Sequence, residues 1–327
     1  MDAVLQLERT IEKVRSSLRI ETQVVQLKDL LSNTWGQQAR DAIIRALKLV
    51  DDLGEAVNDE ALRLIMAGVA TALGQDVAAT VKKPLIEMQE AIYLAGMREV
   101  SRPTGISIGW GVADKKALDS LHRNTLFWIG DRYGAGIQSR IDQFLQRYFE
   151  GGYTRDDLKW FLKVEFAGEI KRAMAYWDLL ADHTATKIRE IGRLSGYEQA
   201  GIRVVRIKAR LDNKTSAVCR RLHGHVISVQ DLRTQASRYL DACEGEDKEK
   251  IKKVWPWWSD KQAEDRLDSV MAVNKQIKAG KVGLPPYHAR CRTITVAEFT
   301  EAAGAHIVSD DEIELGAMPA DVSRRRG

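Results

Sequence analysis

Two short stretches of this chain, far apart in sequence, place sulfur and imidazole at close spacing: Cys219-x3-His223 and His288-x2-Cys291. Brought together, two thiolates and two imidazoles could supply a tetrahedral zinc ion that would pin distant parts of the chain to each other. The i, i+4 spacing puts Cys219 and His223 on one face of a helix, and the Pro285-Pro286 turn would fix the second pair. The same atoms allow other readings. A hydrogen-bonded core cluster would use the cysteines as small buried hydrophobes, and a disulfide suits a reducing compartment poorly. Cysteine beside histidine is also the raw material of a nucleophilic dyad. Asp212 with His223 and His288 could be drawn as a general acid–base set for RNA cleavage. A plainer role for Asp212 is to close the turn before a short helix or to cap that helix. No surrounding sequence matches a protease, so the residues read as a structural cluster, not an enzyme's.

The elements that must position these residues change character along the chain. The first two hundred residues read as helical. Val4, Leu7, Ile11, Val14 and Leu18 recur at spacings of three and four, an apolar stripe on one helix face. Asn58-Asp59-Glu60 reads as a helix start running on toward Val100, and Pro84 argues against one long straight rod. Residues 101–111 are rich in helix breakers. Helical periodicity resumes through Leu118, Leu121, Leu126 and Ile129, again over 137–149, and after Thr154.

At Gly201 the period shifts to two. Val205, Ile207, Ala209 and Leu211 alternate with Arg206, Lys208 and Arg210, the pattern of a half-buried strand over 204–211. A turn at 212–215 leads into a short helix near 218–222, and further strands are expected at 225–229 and 292–296. A charged helical insertion, near 230–282, separates those two strands and carries the aromatic knot Trp255-Pro256-Trp257-Trp258. The expected fold class is α+β: a mainly α-helical N-terminal region, then a small α+β domain with a short, mainly antiparallel sheet. The expected divisions are 1–100, 101–200, a core domain over 201–308 and a flexible tail over 309–327.

Composition bounds the function. The chain has 327 residues, of which 44% are hydrophobic and 29% charged, ordinary for a globular protein. Its net charge of +4 is small, but seven basic residues against Asp212 alone fall between Arg203 and Arg221. A patch containing Arg206, Lys208 and Arg210 could meet DNA phosphates or an acidic partner; the alternative is a solvated sheet face. Three cysteines are too few and too odd in number for a secreted disulfide scaffold. The N-terminus lacks the basic and apolar regions of a signal peptide, and no apolar run is long enough to span a membrane. A reducing cytoplasm is therefore expected. Gly130-x3-Gly134-x-Gly136 has neither a preceding strand nor a following Lys-Ser/Thr, so it is not a phosphate loop. The tryptophan knot reads as a local core or a protein contact sooner than a platform for bases. His122, His183 and His306 are isolated and receive no role.

Four pieces, in order, resemble the phage Mu protein F-like minor head proteins. They are Gly192-Arg193-Leu194-Ser195-Gly196-Tyr197-Glu198-Gln199-Ala200-Gly201 at a helix end, the alternating strand, the run from Asp212 through Thr215 and Cys219 to His223-Gly224, and Pro285-Pro286-Tyr287-His288-Ala289-Arg290-Cys291-Arg292. The third is similar to the family's Asp-x-x-Thr-x-x-x-Cys run, and the fourth to its Pro-Pro-x-His-x-x-Cys-Arg. Together they cover about residues 185–296. Many relatives carry further cysteines at the positions of Leu222 and Thr293. Their joint absence here implies that Cys219 and Cys291 still approach each other, with His223 and His288 nearby. Ala181-Asp182-His183-Thr184 replaces the Ala-Arg-Thr-Glu-like string common in relatives.

The resemblance implies a structural virion component: a minor capsid protein of head morphogenesis at the inner capsid or portal vertex, present in the host cytoplasm during assembly. Its implied partners are the portal protein, other capsid proteins, packaged DNA and, as a homo-oligomer, copies of itself. A role in DNA packaging or ejection follows, and no cofactor beyond a structural zinc. The rival class is a toxin-like nuclease or ADP-ribosyltransferase using the Cys/His cluster. Only about thirty residues follow Val296, too few for an appended catalytic domain of that kind.

Overall fold

The computed structural model describes residues 2–53, 59–130 and 155–298, with Ser139 and Gln143 between them. The side chains of the Val4–Leu18 stripe, the cap at Asn58, Gly134 and Gly136, the 137–149 helix, the start at Thr154, His306 and the tail over 309–327 lie outside what is described.

Among the described residues, four long helices come first: α1 (Asp2–Leu53), α2 (Asp59–Thr104), α3 (Val112–Gly130) and α4 (Arg155–Gln199). Leu27, Leu31, Trp35, Ala39, Ala42, Ala46 and Val50 recur every three or four residues of α1, and all are buried. That stripe meets its counterpart on α2, where Leu62, Met66, Val69, Val77, Val81, Leu85 and Ile92 are buried. Pro84 lies inside α2, and the helix continues through it.

α1, α2 and α4 pack mutually, and α2 meets α4 most closely. Glycine is required there. A Cβ on Gly192 would stand 2.3 Å from the Tyr93 carbonyl oxygen, and one on Gly96 would stand 2.2 Å from that of Arg189. Two backbones are therefore in direct contact, which only glycine permits.

A three-stranded antiparallel sheet follows, in the order β2 (Val226–Ser228), β1 (Val204–Lys208), β3 (Ile294–Ala297). Val205 lies opposite Ile227, and Ile207 opposite Thr295. All four are buried, and Arg206 and Lys208 alternate with them as the period of two requires. Strand β1 stops at Lys208, three residues short of its expected end. Leu211, expected inward, is 55% exposed because the chain is already turning toward the bend at 212–215.

Between β1 and β2 lies the six-residue α5 (Ala217–Leu222). Between β2 and β3 lie α6 (Val229–Glu244), α7 (Lys248–Val254), α8 (Asp260–Arg266) and α9 (Val270–Lys278), which are the expected helical insertion. Side chains of Ser228, Asp247, Ser259 and Ser269 cap them, each accepting a backbone N–H of the first turn. The tryptophan knot is mostly core. Trp255 and Trp258 are buried and donate to the carbonyls of Pro286 and Lys281, while Trp257 is exposed on one side.

Residues Met1–Ala297 form one compact unit. The reason is α4. It packs on α1 and α2 and also reaches α3, α6 and β3, so it is buried on several sides. Lys187, Arg189, Glu190 and Arg193 are consequently enclosed. Glu190 accepts from the Thr295 backbone N–H and hydroxyl at 3.2 and 2.6 Å, and from Arg193 at 2.7 Å. Arg193 and Arg189 both donate to Glu99 of α2, and Arg193 and Tyr197 donate to the Thr295 carbonyl. This buried ionic cluster joins α2, α4 and β3. No described helix is long and apolar enough to cross a membrane.

Candidate functional site

Two segments converge beside the sheet. The first is the turn at 212–215 with α5. Ser216 caps α5 and accepts the Cys219 backbone N–H, which places Cys219 in the first turn. The second is the return from the insertion, where Trp258 donates to the Tyr287 carbonyl and Trp255 to that of Pro286. The Pro285–Pro286 bond there is cis.

Their meeting point is Cys219. Its Sγ lies 3.0 Å from His288 Nε2, 3.6 Å from Cys291 Sγ and 3.0 Å from the Thr293 hydroxyl, which donates to it. Nδ1 of His288 donates to the Ala289 carbonyl at 2.6 Å, and Nε2 is also 2.8 Å from Ser216 Oγ. Cys219, Cys291 and Thr293 are all buried. Ser216 did not stand out in the sequence. The Thr293 hydroxyl meets the Cys219 sulfur directly.

The environment divides the two thiols. The hydrogen bond from Cys291 leads in drawing Cys219 down to about 7, against burial, with Ser216, Thr293 and the Arg292 charge adding to it. Cys291 moves far upward, through that same hydrogen bond and through burial. Burial pulls His288 down, yet its hydrogen bonds at Cys291 and the Ala289 carbonyl leave it above the ordinary imidazole value. Cys219 and His288 also line a small hollow with Arg210, Lys214, Arg290 and Arg292.

Two of the expected members stand apart from the sulfur. His223 caps the end of α5, and its Nδ1 accepts the Ala209 backbone N–H at 3.1 Å. That donor lies just past β1, where no strand pairs with it. The imidazole supplies the acceptor a backbone N–H needs. The metal-competent group is therefore Cys219, His288 and Cys291, whose donor atoms lie within 4.8 Å of one another. This corrects the expected four-ligand set to three. Asp212 takes both guanidinium nitrogens of Arg292 at 2.6 Å, and Arg292 holds its carboxyl far below the usual range. Asp212 also accepts the Lys214 N–H at 2.9 Å, so it closes the turn, while Ser216 does the capping.

The three donors fit an ion with one open position, since the Nδ1 hydrogen bond leaves Nε2 facing the sulfurs. A closed structural zinc site takes four protein ligands, and His223 is engaged elsewhere. For chemistry on a substrate, the thiol–imidazole pair has suitable spacing. Its sulfur, however, belongs to a residue only 3% exposed.

The basic strand residues are used unevenly. Arg206 donates to the Gly224 carbonyl at 2.7 Å, and Arg210 lies 3.6 Å from Asp212. Lys208 and Arg210 are exposed, whereas Arg206 is half-buried. Comparison with family models, with curated proteins and with solved structures found no match for this chain.

Proposed function

We propose that this chain is a minor head protein of a bacteriophage, similar to the Mu protein F-like family, and serves as a structural component of the virion. The supporting observation is the contact of Cys219 with His288 at 3.0 Å. It joins the two motif-bearing stretches that the resemblance rests on, and the other two motifs, the end of α4 and strand β1, belong to the same module. The Asp212–Arg292 pair ties the same stretches a second time. The long helices offer faces for a portal or capsid partner, and Lys208 with Arg210 supplies exposed positive charge for packaged DNA or an acidic surface. Zinc at the Cys219–His288–Cys291 trio would reinforce the tie without altering the role.

The nuclease reading has less to draw on. Its acid–base set is dispersed, with Asp212 held by Arg292 and His223 turned to the strand end. Mass spectrometry of purified particles tests the proposal. Recovery of the chain in particles at low copy with the portal protein is expected. Its confinement to the host cytosol, or RNA cleavage lost on His288→Ala, would overturn it.

A further inference from the structure

A larger cavity, of about 420 Å³, lies away from the thiols, between α3, α4, α6, α7 and the tryptophan knot. That volume falls within the roughly 300–1,000 Å³ of sites that take small organic molecules. Its walls are mainly apolar and aromatic, with Leu121, Trp128, Leu180, Ile188, Trp255 and Trp257 among them. Trp257 stands at the surface and donates through its indole N–H to His183 Nε2 at 2.6 Å.

The polar groups at this cavity are few and converge. Lys187 of α4 is buried, and its Nζ donates to Tyr239 Oη at 3.2 Å. It also lies 4.4 Å and 4.8 Å from the ring centroids of Tyr239 and Trp255. No carboxylate among the described residues pairs with it. The other lining lysine, Lys252, has Glu249 at 3.1 Å. Asn124 of α3 donates to the same Tyr239 Oη at 3.0 Å, and its own Oδ1 is buried with no partner. One phenol oxygen therefore takes both donors. It leaves an amine with N–H groups to spare and a carbonyl oxygen in need of a donor. Burial lowers Lys187 to about 7, which favours the uncharged amine in this cavity.

We propose that this cavity binds a medium-chain apolar carboxylic acid, its chain among the tryptophans and its carboxyl group between Lys187 and Asn124. One acid oxygen accepts from Lys187 Nζ. The bound acid keeps a proton, taken up from solvent as the carboxylate enters, so its O–H donates to Asn124 Oδ1 while Lys187 stays a neutral donor. A bare hydrocarbon would fill the same walls but leave the buried amine without its acceptor, and an alcohol offers one oxygen where the carboxyl offers two to the separate Lys187 and Asn124 groups; an unmet buried group weighs against binding. The site shares no residue with the Cys219 trio and does not depend on the virion reading.

Calorimetric titration with decanoate, with decanol as the uncharged control, tests this. One decanoate per chain is expected, with decanol at least about tenfold weaker. Lys187→Met should fold, since it replaces a buried amine by an apolar chain of similar length, and should lose at least about tenfold in decanoate affinity. Leu180→Trp, which fills the cavity from α4 and keeps Lys187, should abolish binding. Equal affinity for decanol, undiminished binding by either variant, or no binding of decanoate at millimolar concentration would each overturn the proposal.

Discussion

Cys219 and Cys291 face each other with their sulfurs 3.6 Å apart, although 72 residues separate them in the chain. A disulfide needs about 2.05 Å, so a small approach would join them, with each thiol giving up one hydrogen to an oxidant. Cys243 packs elsewhere, on α6 near Tyr239. Mild oxidation with diamide should therefore lower the free thiols of the denatured chain from three to one. Peptide mass mapping should find Cys219 linked to Cys291. A bridge involving Cys243 would contradict the geometry.

The trio's response to chelation follows from its ligand count and surroundings. It offers three donors, and Arg210, Lys214, Arg290 and Arg292 border the adjoining hollow. Positive charge there favours a thiolate and opposes a divalent cation. Dialysis against EDTA should leave the melting temperature unchanged. A fall of more than about 5 °C, restored by zinc, would assign a metal to Cys219, His288 and Cys291.

Arg193 is the keystone of the ionic cluster, donating to Glu190, Glu99 and the Thr295 carbonyl. Arg193→Met would leave the buried Glu190 without its cation and Glu99 with Arg189 alone, at a cost of roughly 3–5 kcal/mol. Thr295→Val removes only a hydroxyl and should cost about 1–2 kcal/mol. Urea unfolding curves measure both, and equal effects would show that the charges are not what matters.

Lys187 gives stability a pH dependence of defined sign. Its amine titrates at about 7 in the fold against 10.5 in the unfolded chain. Between those values the unfolded chain carries a proton that the folded chain lacks, so stability rises with pH. Below the folded value the full penalty applies. His183, Tyr239 and Cys243 face this amine; the first is shifted down and the other two up, so they stay neutral across the window. Lys187→Met should stabilise the protein at neutral pH by something on the order of 2–4 kcal/mol. Its advantage should shrink as the pH rises toward 10. A gain that is constant with pH would show that the lysine is already protonated in the fold.

The period-two stretch, the turn at 212–215, the short helix and the helical insertion were all legible from residue pattern, because each depends on local preference. The two Cys/His stretches were expected to approach each other, and the structure brings Cys219 to His288 and Cys291. The place of His223 was not legible. Spacing puts it on the same helix face as Cys219, but an unpaired N–H at Ala209 takes its imidazole. Lys187, Glu190 and Arg193 were equally hidden, since charged residues on a helix ordinarily mark its solvent side. Here the helix has packed neighbours on several sides, a fact that belongs to the whole fold.

The contact at Gly96 and Gly192 bears on how this molecule would carry load. Side chains that interlock can slip and repack, whereas two main chains in direct touch have nothing to rearrange. Helix α4 continues unbroken from that contact to the residues that grip Thr295. The glycine contact and the hold on Thr295 thus fall within two turns of one helix, so the seam of the long helices and the grip on the sheet form a single stiff joint.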